Sequence, residues 1–244
     1  MDRPPCPPPR AAARRHLVLL AALTLTVAAL AQAQSRDVND VLAALEASAA
    51  TVVDLEFVLE GVLIDLDGQV LRVEVEVLAI PGIPAAGLYI LRPDAIADNQ
   101  LVIDGDVVKS YTFLTNQVAL FDLDDPEAFG GLIEAGPDGK LPVSLDLAAV
   151  FAGWDAAIVG EEATPRGPAL VLRFDNRDPE AAIQYVLATV TLASWEPWRL
   201  AFHRAGDELF ADLTFRDWVR DQGLTREHVT YLPADAEVLD RRRR

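Results

Sequence analysis

The sequence predicts a mainly β protein with a few short helices, built around one long antiparallel sheet of about eleven strands. The first indication is a hairpin: residues 54–66 and 69–79 have the period of two that is typical of strands, and they flank Asp67-Gly68, a strong turn signal. The second is a succession of further short strand-like segments separated by turn residues, which favours an antiparallel meander.

The elements follow from the period of the apolar residues. A period of three to four predicts helices at 37–50, 126–135 and 144–154. After the first hairpin, strands are expected at 88–91, 100–103, 107–113, 117–123, 157–162, 169–175, 185–193, 198–204, 209–218 and 227–232. Twist curls such a sheet, and the apolar face turns inward. Three short helices fill little of that space, so an apolar cavity is expected unless bulky side chains close it.

Residues 1–33 are predicted to be a cleaved signal peptide. A basic start precedes the apolar run 17–31, which is too short to span a bilayer comfortably, and Ala31-Gln32-Ala33 offers a cleavage site. The mature protein would be exported and begin at Gln34. The alternatives are an uncleaved anchor and, from Arg14-Arg15, a twin-arginine signal; ordinary secretion fits better.

The rest of the chain is predicted to be one domain, residues 34–240, followed by a basic tail, 241–244, expected to be disordered. A contact of that tail with anionic lipid head groups or an acidic partner is the alternative. The only cysteine, Cys6, lies in the leader, so the mature chain has no disulfide. Without the leader, 17 Lys and Arg stand against 37 Asp and Glu, a net charge of −20. This charge excludes nucleic-acid binding and disfavours stable binding to anionic membranes.

No catalytic or metal-binding pattern is visible. His203 and His228 have no second ligand at zinc spacing, and the acidic stretches 104–106 and 122–125 are better explained as turns than as calcium sites. Nucleophile-elbow, P-loop, dinucleotide-binding and zinc-protease motifs are absent. We therefore expect a protein that is not an enzyme and needs no cofactor.

Four segments between residues 87 and 118 form a recognisable succession: Gly87-Leu88-Tyr89-Ile90-Leu91-Arg92-Pro93, Leu101-Val102-Ile103-Asp104-Gly105, Tyr111 and Asn116-Gln117-Val118. This succession resembles a known family, the LolA-like periplasmic lipoprotein carriers. Leu141-Pro142 before the helix 144–154 is similar to the family's lid segment, and the stretch from Leu213 to Asp240 to its terminal strands. Asp94, Ala95 and Ile96 replace the aromatic residues that usually follow Arg-Pro.

The resemblance implies an incomplete, strongly bent barrel closed by lid helices, with a cavity that receives acyl chains. The implied function is a periplasmic carrier of acylated lipoproteins or other lipids, with an inner-membrane transporter and an outer-membrane acceptor as partners. Arg92 would latch the lid. The residues expected to line the cavity are Leu71, Val73, Val75, Tyr89, Leu101, Tyr111, Phe113, Phe151 and Trp154. The alternative is an envelope-stress or signalling module that uses the same fold to bind a partner protein.

Overall fold

The structure, a computed structural model, describes residues 36–65, 67–123, 125 and 146–242. The chain divides into two compact units, residues 1–41 and 42–244. Helix α1 comprises Val38–Ala50. The predicted leader 1–33, the predicted helix 126–135 and the lid-like Leu141-Pro142 lie outside the described residues.

The second unit contains a 12-stranded sheet. Its strands are β1 (Leu55–Ile64), β2 (Val70–Ile80), β3 (Ala85–Arg92), β4 (Gln100–Asp104), β5 (Val107–Thr112), β6 (Gln117–Asp122), β7 (Asp155–Thr164), β8 (Gly167–Asp175), β9 (Tyr185–Thr191), β10 (Pro197–His203), β11 (Leu209–Arg220) and β12 (Glu237–Asp240). Two one-turn helices, α2 (Leu147–Val150) and α3 (Arg226–Val229), accompany it. In the part of the chain described, no helix has both the length and the apolar character needed to cross a membrane.

The order of the strands is β12-β6-β5-β4-β3-β2-β1-β11-β10-β9-β8-β7. Neighbouring strands are antiparallel except β12, which pairs with β6 in parallel. The sheet is open and curled, and within the described residues β12 and β7 form its two edges. This architecture confirms the predicted fold class.

The predicted helices and strands agree best with the structure where a turn residue marks the end of the element. The helix predicted at 37–50 is confirmed as α1, and the hairpin predicted around Asp67-Gly68 joins β1 to β2. Gly68 has a φ of 77°, a value that glycine adopts without strain. The carboxylate of Asp65 accepts the backbone N–H groups of Asp67 and Gln69, and these bonds stabilise the turn.

Two predicted elements differ. The strand predicted at 227–232 is wrong, because Thr225 accepts the backbone N–H of His228 and caps the short helix α3 instead. The final strand comes later, at β12. The helix predicted at 144–154 is helical only over α2 within the described residues; Asp146 caps its start, and Gly153 soon after it has a φ of 89°.

Strands β1 and β11 join the two halves of the sheet, and their backbones come unusually close at Gly61. A Cβ added there would lie 1.9 Å from the carbonyl oxygen of Asp212. A second link lies at the start of β1, where the buried carboxylate of Asp54 accepts the backbone N–H groups of residues 222, 223 and 224 at 2.8, 2.8 and 3.1 Å. The first strand is thus fixed to β11 and to the loop that follows it.

The turn between β7 and β8 reaches across the sheet and shows its curl. Arg166 in this turn donates to the carbonyl oxygen of Phe215 on β11 at 3.4 Å, and its guanidinium lies 5.2 Å from the ring centre of Trp198. β8 and β11 are three strand spacings apart, roughly 14 Å in a flat sheet. Arg166 and Arg220 both pair with the mostly buried Glu196, at 3.6 and 2.8 Å. These contacts hold the sheet bent.

We expect Gly61→Ala to destabilise the protein by roughly 1–3 kcal/mol, because the added methyl group must push β1 away from β11. Urea unfolding followed by circular dichroism measures the change. Gly160→Ala is the matched control, since a Cβ at Gly160 in β7 meets nothing within 4 Å. Equal stability of the two variants would contradict the close approach.

Candidate functional site

Strand pairing divides the side chains of the sheet between two faces of different character. Val75 on β2 lies opposite Leu59 on β1, and Leu88 on β3 lies opposite Leu101 on β4. The register places these side chains on the face that carries Phe57, which we call the apolar face. Glu60, Glu74 and Glu76 alternate with them and point to the other side, which we call the charged face.

The apolar face changes in exposure from one end of the strands to the other. At one end Leu55, Phe57, Val77, Ala79 and Ile103 belong to a buried cluster. Toward the β1–β2 turn the apolar side chains are only half-buried, and Leu71 is 43% exposed. This half of the face, the open apolar strip, consists of Leu59, Leu63, Leu71, Val73, Val75, Leu88, Ile90 and Leu101.

Four of the side chains predicted to line a cavity lie on this strip, namely Leu71, Val73, Val75 and Leu101. Leu59, Leu63, Leu88 and Ile90 complete it and were missed. For Leu88 and Ile90 the signal was present: they flank Tyr89 with the period of two, and pairing with β2 places them beside Val77 and Val75. Tyr89, the residue predicted on β3, points to the opposite face of that strand.

Tyr89 and Tyr111 lie on the charged face, across from the strip. In the register of β2 and β3, Tyr89 lies opposite Glu76. The hydroxyl of Tyr111 donates to the side-chain oxygen of Asn116 at 3.2 Å. Helix α3 packs nearby: a Cβ at Gly87 would lie 2.4 Å from the carbonyl oxygen of Val229. The C-terminal segment therefore covers this part of the charged face.

The three remaining predicted residues are elsewhere. Phe113 lies in the turn after β5 and is 56% exposed. Phe151 is buried and stacks on Phe174 of β8, with ring centres 4.6 Å apart. The ring of Trp154 lies 5.3 Å from that of Phe151. The rings of Phe151 and Trp154 therefore pack at β8, in the half of the sheet that extends from β11. The strip lies in the other half, on β1 to β4.

Arg92 lies at the end of β3, where its Nε is 3.3 Å from Glu74 Oε2. This pair continues a series of cross-strand ion pairs. Arg216 on β11 contacts both Glu60 and Glu74, at 2.6 and 2.9 Å. The predicted lid lies largely outside the described residues, so the latch role of Arg92 stays a prediction.

Two clefts lie on the charged face, with volumes of about 370 and 340 Å³. Arg199 lines both and makes a bidentate pair with Asp212, with both distances 2.6 Å. Glu162, which lines the second, accepts the hydroxyl of Thr189 at 2.8 Å. The second cleft is also lined by the aliphatic residues Val171, Leu187, Ala201 and Leu209, so both clefts combine charged and apolar groups on the face opposite the strip.

The two histidines among the described residues, His203 and His228, are apart from the strip. The ring of His203 stacks on Tyr185 with centres 4.3 Å apart, and the guanidinium of Arg173 lies 3.8 Å from the centre of the same tyrosine ring. His228 belongs to α3. Among the described side chains, no three His, Cys, Asp or Glu residues are grouped so that they could hold a metal ion.

Glu76 is one of the titratable groups on the charged face whose ionisation is disfavoured by its surroundings. Burial raises the pKa of Glu76 above its usual value of 4.5, and the negative charge of Glu56 raises it further. The folded protein therefore keeps this proton at pH values where the unfolded chain has lost it. Stability from this group is lost as the pH rises above about 4.5 and through the folded pKa.

We expect Glu76→Gln to be more favourable to stability at pH 7 than at pH 4.5, because the substitution removes a charge that only the higher pH produces. Urea unfolding of the wild-type protein and the variant at both pH values gives the two differences in unfolding free energy. The same difference at both pH values would contradict this assignment.

Several solved structures share this fold at low sequence identity. An uncharacterized conserved protein from Thermus thermophilus matches with a TM-score of 0.61 and 19% identity, over 84% of this chain and 100% of that one. The Pseudomonas aeruginosa MucA/MucB complex matches with a TM-score of 0.50 and 16% identity, over 84% of this chain but only 64% of the matched chain.

The LolA superfamily protein NE2245 from Nitrosomonas europaea matches with a TM-score of 0.37 and 12% identity, over 78% of this chain and 96% of that one. No protein-family model and no curated protein sequence matches this chain.

Proposed function

We propose that this protein is a periplasmic carrier that binds the acyl chains of lipoproteins or other lipids on the open apolar strip. The observation that carries the proposal is a contiguous set of partly buried aliphatic side chains on one face of a curled sheet, which extends from the buried cluster to the exposed Leu71. Contiguous exposed apolar surface of this kind typically marks a binding site in a soluble protein. The location rests on the predicted signal peptide.

The chemistry of the strip suits a hydrocarbon ligand. All its members are leucine, isoleucine or valine, so it offers no acid, base or nucleophile to a substrate. Each methylene group removed from water stabilises a complex by about 0.8 kcal/mol, and a long acyl chain supplies many of them. This composition favours binding and transport over catalysis.

We expect Leu71→Asn to weaken acyl binding by about 1–2 kcal/mol, roughly 5- to 30-fold in Kd, because Leu71 offers exposed apolar surface on the strip. Titration with a fluorescent fatty acid measures the affinity. Val70→Asn is the matched control, since Val70 precedes Leu71 on β2, points to the other face and is 61% exposed. Equal loss in both variants, or no binding by the wild-type protein, would contradict the proposal.

The predicted role of Arg92 as a latch can be tested by substitution, with the same kind of acyl probe. Its exposed pair with Glu74 is worth little to folding, so Arg92→Leu should change unfolding free energy by less than about 1 kcal/mol. If Arg92 also holds a lid closed, its loss should change the rate at which a fluorescent acyl probe is released to acceptor vesicles. Stopped-flow fluorescence measures that rate. Arg72→Leu on β2 is the control, and identical release rates in the two variants would exclude the latch.

A second candidate function, a regulatory module that binds a partner protein, is favoured by the likeness to MucB, which was crystallised in complex with MucA. Native mass spectrometry of the exported protein, followed by organic extraction, separates the two. Recovery of an acylated ligand supports the carrier, and consistently empty protein supports the module.

A further inference from the structure

Four apolar side chains are exposed at one end of the sheet, in two neighbouring connections. Leu91 and Ile96, 42% and 38% exposed, belong to the end of β3 and to the loop between β3 and β4. Phe113 and Leu114, 56% and 90% exposed, form the turn between β5 and β6. We call these four residues the apolar tip.

Hydrogen bonds hold the two connections together, so the exposure is built into the fold. Asn99 is central: its side-chain oxygen accepts the backbone N–H of Phe113 at 2.9 Å, and its carbonyl oxygen accepts that of Ile90 at 2.9 Å. Asn116 ends the turn in the left-handed region, with a φ of 49°. The backbone therefore presents Phe113 and Leu114 outward instead of letting them fold back.

The tip lies at the end of the strands that carry the open apolar strip. Ile90 of the strip directly precedes Leu91 of the tip on β3, and Leu101 of the strip lies on β4, which follows the loop that carries Ile96. The tip is therefore at the same end of the sheet at which the strip is most exposed.

The shape of the tip points to a soft apolar partner. Side chains that protrude singly from turns suit a medium that flows around them, whereas a stable protein interface buries about 800 Å² on each partner in a complementary surface. A lipid bilayer is such a medium. Without the predicted leader the chain carries a net charge of −20, so anionic head groups would repel it and zwitterionic ones would not.

We propose that the apolar tip inserts into the surface of a zwitterionic lipid bilayer when the protein takes up or delivers its acyl cargo. The proposal rests on the carrier function and adds the surface with which the protein approaches a membrane. Insertion of a few side chains gives a weak and reversible contact, which suits a protein that must leave again.

Flotation with phosphatidylcholine vesicles tests the tip directly. The wild-type protein should associate, and Ile96→Asn combined with Leu114→Asn should reduce the partition coefficient about tenfold or more, a loss of about 1.4 kcal/mol. The control combines Val53→Asn and Ile83→Asn, which are 66% and 41% exposed at the opposite end of the sheet and should leave partition unchanged.

Three results would overturn the inference: no association of the wild-type protein, an equal loss in the control, or stronger binding to vesicles that contain phosphatidylglycerol. Titration of the tip variant with the fluorescent fatty acid separates the two proposals. If the tip variant keeps its affinity for the fatty acid but loses vesicle binding, both the carrier function and the membrane contact are supported. If the wild-type protein binds the fatty acid but does not associate with vesicles, the proposed membrane contact is wrong and the proposed carrier function still stands.

Discussion

The pairing of β1 with β11 is the constraint on which the rest of the structure depends. Strands β2 to β6 extend from β1, and β10 to β7 extend from β11, so this one ladder joins residues far apart in the chain into a single sheet. Gly61 permits the close approach, and the buried carboxylate of Asp54 fixes the end of the ladder through three backbone N–H groups. Loss of this junction would separate the open apolar strip from the strands that bend around it.

Register connects that junction to the candidate site. A shift of one residue between paired strands would move every strip side chain to the charged face. Arg216 on β11 contacts Glu60 on β1 and Glu74 on β2, and so bridges three adjacent strands in the correct register. Each exposed pair contributes little to stability, at most about 1 kcal/mol. Their value lies in disfavouring the wrong alignment, since a slipped strand would leave these charges facing aliphatic side chains.

Local signals were readable from the sequence, and non-local ones were not. Asp67-Gly68 predicts its hairpin because both strands adjoin the turn. By contrast, no residue pattern in β12 predicts its parallel pairing with β6. The alternation of apolar residues near Glu227 is typical of a strand, although Thr225 caps a helix there. In the candidate site the regular alternation of β2 predicts that Val73 and Val75 share one face of the sheet, and strand pairing places them together there. On β3 the choice between Tyr89 and its neighbours depended on pairing partners that the sequence does not show.

The parallel pairing of β12 with β6 has a consequence for how the chain acquires its fold. Gln117 on β6 bonds through its side chain to Glu237, which is synthesised 120 residues later. Until then the outer edge of β6 presents unpaired backbone groups, and such edges recruit other chains. During biogenesis the β6 edge is therefore a site at which other chains can pair, and a protein lacking β12 should be more prone to form edge-to-edge assemblies than the full chain.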